Sequence, residues 1–159
     1  MFENLSSLFS ALGLGYLVLT AWPLAKTDIL ERRLPNKYVL PAFPITWFGQ
    51  IVAGVLGAGF LNMLWALFAG AITFVISLVI NRLGLLGMGD VKLMTVMSLA
   101  LGWYSPLLPI IALGLSFLIA GLVAVVLLAT RRIKLGGSMP LGPYLLAGFL
   151  GAITLAVWS

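Results

Sequence analysis

Long apolar runs alternate along the chain with short stretches that are polar or rich in glycine and proline. A helix of about 20 residues, at about 1.5 Å per residue, crosses the ~30 Å hydrocarbon core of a bilayer. Most of the runs approach this length. The pattern therefore predicts an all-α membrane protein, a bundle of six transmembrane helices at 5–25, 38–56, 61–80, 91–103, 107–130 and, opening within 139–144, a last one that reaches Trp158.

Composition supports a membrane protein. Of the 159 residues, 62% are hydrophobic and only 8% are charged, which lies outside the usual range of soluble domains. The segment that follows Met1 lacks the basic start of a cleaved signal peptide and is too long for one, so we expect a retained helix. We expect residues 1–159 to form a single polytopic membrane domain.

The positive charges predict the orientation. With six spans, alternate loops lie on the same side, and all nine basic residues fall in three such loops: Lys26, Arg32, Arg33 and Lys37; Arg82 and Lys92; Arg131, Arg132 and Lys134. Positive charges favour the cytoplasmic side, so both termini are predicted outside. We expect these loops, Arg131, Arg132 and Lys134 above all, to meet anionic lipid headgroups, and we expect no nucleic acid partner.

Aromatic residues near the ends of the runs are typical of interfacial belts. We expect such belts at Trp103, Tyr104 and Trp158 on the outside and at Trp22, Tyr38 and Tyr144 on the inside.

The chain has neither histidine nor cysteine, so thiolate nucleophiles and the commonest metal ligands and general base are excluded. Acid–base chemistry must then come mostly from four acids, and no metal or cofactor is implied. Two of them, Asp28 and Asp90, fall at the predicted cytoplasmic ends of helices. A carboxylate at such a position is costly and favours a functional role.

Asp90 follows two glycines, Gly87 and Gly89, and begins a short run. Only about 13 residues, or ~20 Å of helix, separate it from Trp103, so we expect Asp90 to lie several ångströms below the cytoplasmic boundary. The glycines permit a non-helical loop to dip beside it. Simpler interpretations stay open: Asp90 is also in a position typical of a helix N-cap, and Lys92 of a topogenic charge that snorkels to the surface.

Asp28 taken alone is typical of an ordinary loop charge. The basic residues Lys26 and Arg32 would balance it, and nothing in the local sequence distinguishes it from Glu31.

Three stretches together resemble the type IV prepilin peptidases, which are intramembrane aspartyl peptidases of the Gly-x-Gly-Asp kind. The motif Gly-x-Gly-Asp-x-Lys-Leu is matched at 87–93. A first aspartate, followed by basic residues and a Leu-Pro-Asn triplet, is matched by Asp28 and 32–36. The motif Pro-x-Gly-Pro-Tyr-Leu is matched at 140–145. The three motifs occur in the family's order and span most of the chain.

The resemblance implies that Asp28 and Asp90 are the catalytic pair of an aspartic endopeptidase. Its substrate is a prepilin with a cytoplasmic leader, and its location is the plasma (inner) membrane of a prokaryote, as a multi-pass protein whose active site faces the cytoplasm. Residues near the catalytic loop or the substrate are then Gly87, Gly89, Lys92, Pro140, Gly142 and Pro143. We expect the last three to leave room for an extended substrate backbone.

Larger members carry an N-terminal extension and a cysteine-rich domain associated with methylation of the mature pilin. This sequence shows neither, so it resembles the short, peptidase-only type of tight-adherence pilus systems, and we expect no methyltransferase activity.

Two close carboxyls in a poorly solvated site share a proton, so that one activates water while the other hydrogen-bonds the scissile carbonyl. Two other classes of function use the same residues differently. In a small ion- or proton-coupled membrane transporter, Asp28 and Asp90 would bind the ion, and Asp→Glu changes would be tolerated. In a noncatalytic scaffold, neither acid would matter beyond stability.

Overall fold

The computed structural model describes residues 2–132 and 139–158. These residues form seven α-helices and no strand, in the order α1 (Phe2–Ser10), α2 (Leu12–Glu31), α3 (Asn36–Ala53), α4 (Phe60–Arg82), α5 (Met88–Gly102), α6 (Leu108–Ala129) and α7 (Gly142–Trp158). A widened π-helical turn, Gly54–Ala58, continues α3. The all-helical prediction is confirmed.

The first predicted span is wrong in its boundaries. A bend of 41° separates α1 from α2, and α2 continues past residue 25 to Glu31. The extension has a packing reason, because one face of α2 carries the buried residues Leu17, Ala21, Leu24 and Asp28 at helical spacing. The predicted polar loop is therefore only a few residues long.

Two backbone features end α2 and start α3. Arg32 adopts a left-handed conformation, with φ 51° and ψ 36°, and its N–H donates to the Asp28 carbonyl. Pro35 is extended and immediately precedes α3, where its missing N–H costs least. The short connection brings Leu34 back against the bundle, where it is buried.

Helix α5 is the centre of the fold. Val91 and all residues from Leu93 to Gly102 are buried, and α2, α3, α4, α6 and α7 all pack against it. The core on its flanks includes Leu17, Leu145 and Phe149, each with no exposed surface. Asp90 therefore lies in the first turn of the most enclosed helix of the described structure.

Three segments are long and apolar enough to cross a membrane: α3 with its following turn, α4 and α6. The bent pair of α1 and α2 is a fourth, and α7 is a shorter apolar helix. Large apolar side chains cover the outer surface, as at Leu122 and Val125. The chain is thus a multi-pass membrane protein, while the count of six spans and the placement of the termini stay predictions.

Hydrogen bonds define the end of the bundle far from the predicted cytoplasmic loops. The hydroxyls of Ser10 and Tyr104 lie 3.3 Å apart, which ties the α1–α2 junction to the α5–α6 turn. Ser6 donates to the carbonyl of Ala53 at 3.4 Å, which brings in the end of α3. Three elements therefore meet at this end.

The expected aromatic belt is wrong at one member. Trp103 is only 4% exposed and packs with Ala53, Ala66 and Leu99, so it belongs to the core. By contrast, Trp22 is 78% exposed. In the predicted basic loop, Arg131 and Arg132 are exposed, and Lys134 lies outside the described residues.

Candidate active site

Asp28 lies in the last turn of α2 and is 5% exposed. Its carboxylate accepts a hydrogen bond from the N–H of Gly142 at 2.8 Å. Gly142 is the first residue of α7, so this N–H has no partner within its helix, and the helix dipole favours a negative charge there. Asp28 is not a solvated loop charge, whereas Glu31 is exposed.

Asp90 is the third residue of α5 and is partly exposed. Gly87 occupies the N-cap position, and its N–H donates to the Asp90 carboxylate. This is the return bond of a capping box, so Asp90 does stabilise the start of its helix. Capping therefore accounts for one contact of Asp90. The residue also lines a cavity, which capping does not explain.

The two acids line one cavity of about 270 Å³. Asp28 is near enough to act electrostatically on Asp90. Polar and basic side chains complete the wall, namely Arg32, Arg33, Asn36 and Lys92. The structure thus brings together two acids that are 62 positions apart in the chain.

The glycines of two motifs clear space for the acids. A Cβ atom on Gly87 would stand 2.9 Å from Asp90 Oδ2, and one on Gly142 would stand 2.8 Å from Asp28 Oδ2. Contacts this short do not occur at real Cβ atoms, so any side chain at either position displaces a carboxylate. The space beside Gly142, expected from the sequence to take a substrate backbone, is occupied in the structure by the Asp28 carboxylate and Leu34.

Leu34 joins the three motifs. A Cβ atom on Gly89 would lie 2.9 Å from Leu34 Cβ, and one on Gly142 would lie 3.1 Å from Leu34 Cδ2. Leu34 itself follows Asp28 in the first motif. One buried side chain therefore sets how closely the start of α5 and the start of α7 approach the end of α2.

Lys92 also links two motifs. Its Nζ donates to Asn36 Oδ1 at 3.1 Å, so it ties the first turn of α5 to the first residue of α3. Lys92 is partly exposed and lines the cavity, and it has a specific partner beyond any topogenic role.

The remaining predicted residues lie less centrally. Pro140 and Pro143 are partly exposed, and neither belongs to the cavity wall within the described structure. Pro143 is the second residue of α7, where a missing N–H costs little.

The site residues predicted from the sequence omit five residues that line the cavity, namely Arg32, Arg33, Leu34, Asn36 and Met88. The first four were visible in the first motif, and Met88 stands between the two glycines of the second. The motif positions themselves were therefore the available signal.

The fold and the site together define an all-helical, multi-pass membrane protein with two carboxylic acids in one small cavity where four helix ends meet. The chain belongs to the type IV leader peptidase family, whose model matches residues 13–130. The match includes both acids, and the motif around Gly142 lies beyond it.

Two similar proteins carry the name prepilin leader peptidase/N-methyltransferase. The one from Pseudomonas putida is 32% identical over 148 residues, which cover 83% of this chain and 47% of the relative. The one from Pseudomonas aeruginosa is 30% identical over 155 residues, which cover 87% of this chain and 49% of the relative. The chain thus spans about half the length of the curated relatives it matches. No solved structure matches it significantly.

Proposed function

We propose that this protein is an intramembrane aspartic endopeptidase that removes the cytoplasmic leader from type IV-like prepilins. Family membership supports the peptidase role. The observation that carries the proposal is that Asp28 and Asp90 share one cavity while the N–H groups of Gly142 and Gly87 hold their carboxyls. Such preorganisation is what two-carboxylate hydrolysis requires.

In the proposed reaction one acid is ionised and the other is protonated, because two carboxyls in a confined cavity do not both ionise cheaply. The ionised carboxylate takes a proton from water as the water oxygen bonds to the scissile carbonyl carbon. The protonated acid gives its proton to the carbonyl oxygen, which produces a tetrahedral diol. As the C–N bond breaks, the first acid gives its proton to the leaving nitrogen. One diol hydroxyl gives its proton to the other carboxylate, so both acids return to their starting protonation states.

The proposal includes a location. We place the protein in the inner membrane of a prokaryote, with the cavity facing the cytoplasm. The positive charge of Arg131, Arg132 and the loops around the cavity supports this orientation and contact with anionic headgroups.

Co-expression with a type IV-like prepilin, with leader removal scored by a shift in pilin mass, tests the function. Asp28→Asn and Asp90→Asn should each lower the cleavage rate at least about a hundredfold, since each acid has its own proton-transfer step. Glu31→Gln is the matched control, because Glu31 is exposed, three residues from Asp28, and should cleave at the wild-type rate.

Near-normal cleavage by either Asp→Asn variant, at wild-type protein levels in the membrane, would contradict the pairing. Asp→Glu variants separate the peptidase from the transporter. A longer side chain misplaces the carboxyl and should cost a peptidase most of its rate, whereas ion binding should tolerate it.

Methyl transfer is a separate question, because both relatives are named as N-methyltransferases as well as peptidases. The resemblance associates this activity with a cysteine-rich domain, and the sequence has no cysteine. We expect mass spectrometry of pilin released by this chain to show an unmodified N-terminal amine. A 14 Da increase per pilin, seen only when this protein is expressed, would contradict the peptidase-only assignment.

A further inference from the structure

A second cavity, an apolar groove of about 320 Å³, lies between α3 and α4. Both helices pack against α5, which forms the floor. Phe43 and Trp47 stand on the α3 wall, Ala71 and Phe74 on the α4 wall, and Leu99 on the floor. Trp47 and Phe74 are 42% and 40% exposed, so the groove is open at the outer surface of the bundle.

Lys92 lines both this groove and the cavity of the two acids. Polar groups on the groove floor are already satisfied, since the Thr95 hydroxyl donates to the Val91 carbonyl at 2.7 Å. The groove therefore offers an apolar surface that shares one lining residue, Lys92, with the polar cavity of the acids.

The groove follows α5 away from the acids. Its floor runs from Lys92 through Thr95 to Leu99, a rise of about 10 Å at ~1.5 Å per residue. Because Lys92 also lines the cavity of the acids, the Lys92 end of the groove is the end nearer to the acids, and the Leu99 end is farther from them along α5. A chain cleaved at the acids and continuing into the bilayer would pass along this surface.

The cavity of the acids, at about 270 Å³, is below the usual range for sites that enclose a whole ligand, ~300–1,000 Å³. A peptide can place the residues around its scissile bond there, and its remaining length must be held elsewhere. A segment that stays in lipid must satisfy its own backbone hydrogen bonds, so it is helical. An apolar helix in a groove binds through side chains spaced at three and four residues.

We propose that the groove between α3 and α4 binds the apolar helical segment that follows the scissile bond of the substrate. This inference rests on the proposed function and adds to it the site that selects membrane-embedded substrates. Lys92 marks the boundary, with the polar leader on the side of the acids and the apolar helix on the side of Leu99.

Filling the groove tests the proposal. Ala71 is exposed on the α4 wall, so Ala71→Trp adds bulk to the groove without entering the core. Ala147→Trp is the matched control, because Ala147 is an exposed alanine on α7 outside the groove. The wild type and both variants are assayed in lipid vesicles with two substrates. One is a full-length prepilin, and the other is a short peptide with the leader and scissile bond but no apolar segment.

We expect Ala71→Trp to raise KM for the full-length prepilin at least tenfold, with KM for the short peptide unchanged. Ala147→Trp should match the wild type on both substrates. Equal KM values for the two variants on prepilin would overturn the groove assignment and leave the proposed function intact. If the wild type cleaved neither substrate, the proposed function would fail and the inference with it.

Crosslinking gives a readout that does not depend on activity. A photoreactive benzoyl-phenylalanine at position 71, in an Asp90→Asn background, should crosslink to the apolar segment of a bound prepilin, and the same group at position 147 should not. Crosslinks from position 71 to lipid alone would identify the groove as a lipid site and overturn the proposal.

Discussion

At the scale of single residues, the motif glycines place the acids. Gly142 gives its N–H to Asp28 and leaves the carboxylate the volume that a Cβ would fill. Gly87 has both roles for Asp90. Each carboxyl therefore accepts a backbone N–H, Asp28 from the start of another helix and Asp90 from the N-cap of its own helix, and a backbone donor is more rigid than a side-chain partner.

We expect Gly142→Ala to lower the cleavage rate about a hundredfold, because the methyl group displaces the Asp28 carboxylate by a fraction of an ångström to an ångström. The effect should fall on kcat, since the cavity stays open. Prepilin cleavage in vesicles measures it. Gly114→Ala is the control: a Cβ there meets nothing within 4 Å, so its rate should equal the wild type. Equal rates for both variants would mean that the carboxylate position beside Gly142 does not matter.

Both acids could be predicted from the sequence, because a carboxylate next to an apolar membrane helix is energetically costly and because the motifs resemble those of a known family. It did not distinguish Asp28 from Glu31 by local pattern, because burial decides between them and burial comes from the register of α2 against the bundle. Leu34 was missed for the same reason. An apolar residue within a motif is unremarkable until Gly89 and Gly142 are known to pack against it.

At the scale of helices, α6 and α7 make a close crossing that sets where α7 begins. Gly148 of α7 lies against Ser116 and Ala112 of α6, with no room for a Cβ. The Ser116 hydroxyl donates to the Leu145 carbonyl at 3.2 Å across the same interface. Small residues and interhelical hydrogen bonds are the usual means of helix association in membranes. Because α7 carries Gly142, this crossing also supports Asp28.

We expect Gly148→Ala to lower the free energy of unfolding by about 1–3 kcal/mol, because the added methyl forces the helices apart. Thermal unfolding in detergent, followed by circular dichroism, measures the loss. Gly121→Ala on α6 is the control, since a Cβ there meets nothing within 4 Å and the change should be stabilising or neutral. Equal melting temperatures for the two variants would contradict the close crossing.

Apolar runs predicted the helices well where lipid faces them, as in α4 and α6. They failed at the end of α2, because most residues from Lys26 to Glu31 are polar, although Asp28 among them faces the core. They also misplaced Trp103, since an aromatic residue at a helix end is typical both of an interface and of a core. Hydropathy is averaged over many consecutive residues. The burial of Asp28 and of Trp103 depends instead on which side of its helix each residue lies.

At the scale of the whole molecule, the contacts of the described residues bring the ends of α2, α3, α5 and α7 together around the acids, and the ends of α1, α3 and α5 together around Tyr104. Residues of two of the basic loops predicted as cytoplasmic, Arg32, Arg33 and Lys92, line the cavity of the acids. The two ends should therefore face opposite sides of the membrane.

The absence of cysteine permits a direct test by labelling. Leu85, in the α4–α5 loop, and Leu107, in the α5–α6 turn, are 76% and 62% exposed. In intact cells, an impermeant maleimide should label Leu107→Cys and should label Leu85→Cys only after the membrane is opened. Labelling of both from outside would contradict the predicted orientation, and with it the cytoplasmic site.

The enclosure of α5 has a consequence for how the protein is made. A 15-residue helix that carries Asp90 and Lys92 near its start, and Thr95 and Ser98 farther along, inserts poorly into a bilayer on its own. In the folded bundle the neighbouring helices cover α5, so its polar residues contact protein instead of lipid. Helix α4 precedes it across a short loop and packs closely along it. We therefore expect α4 and α5 to enter the bilayer as a hairpin, and the proposed active site to be complete only when α7, which is synthesised after α2 and α5, brings Gly142 to Asp28.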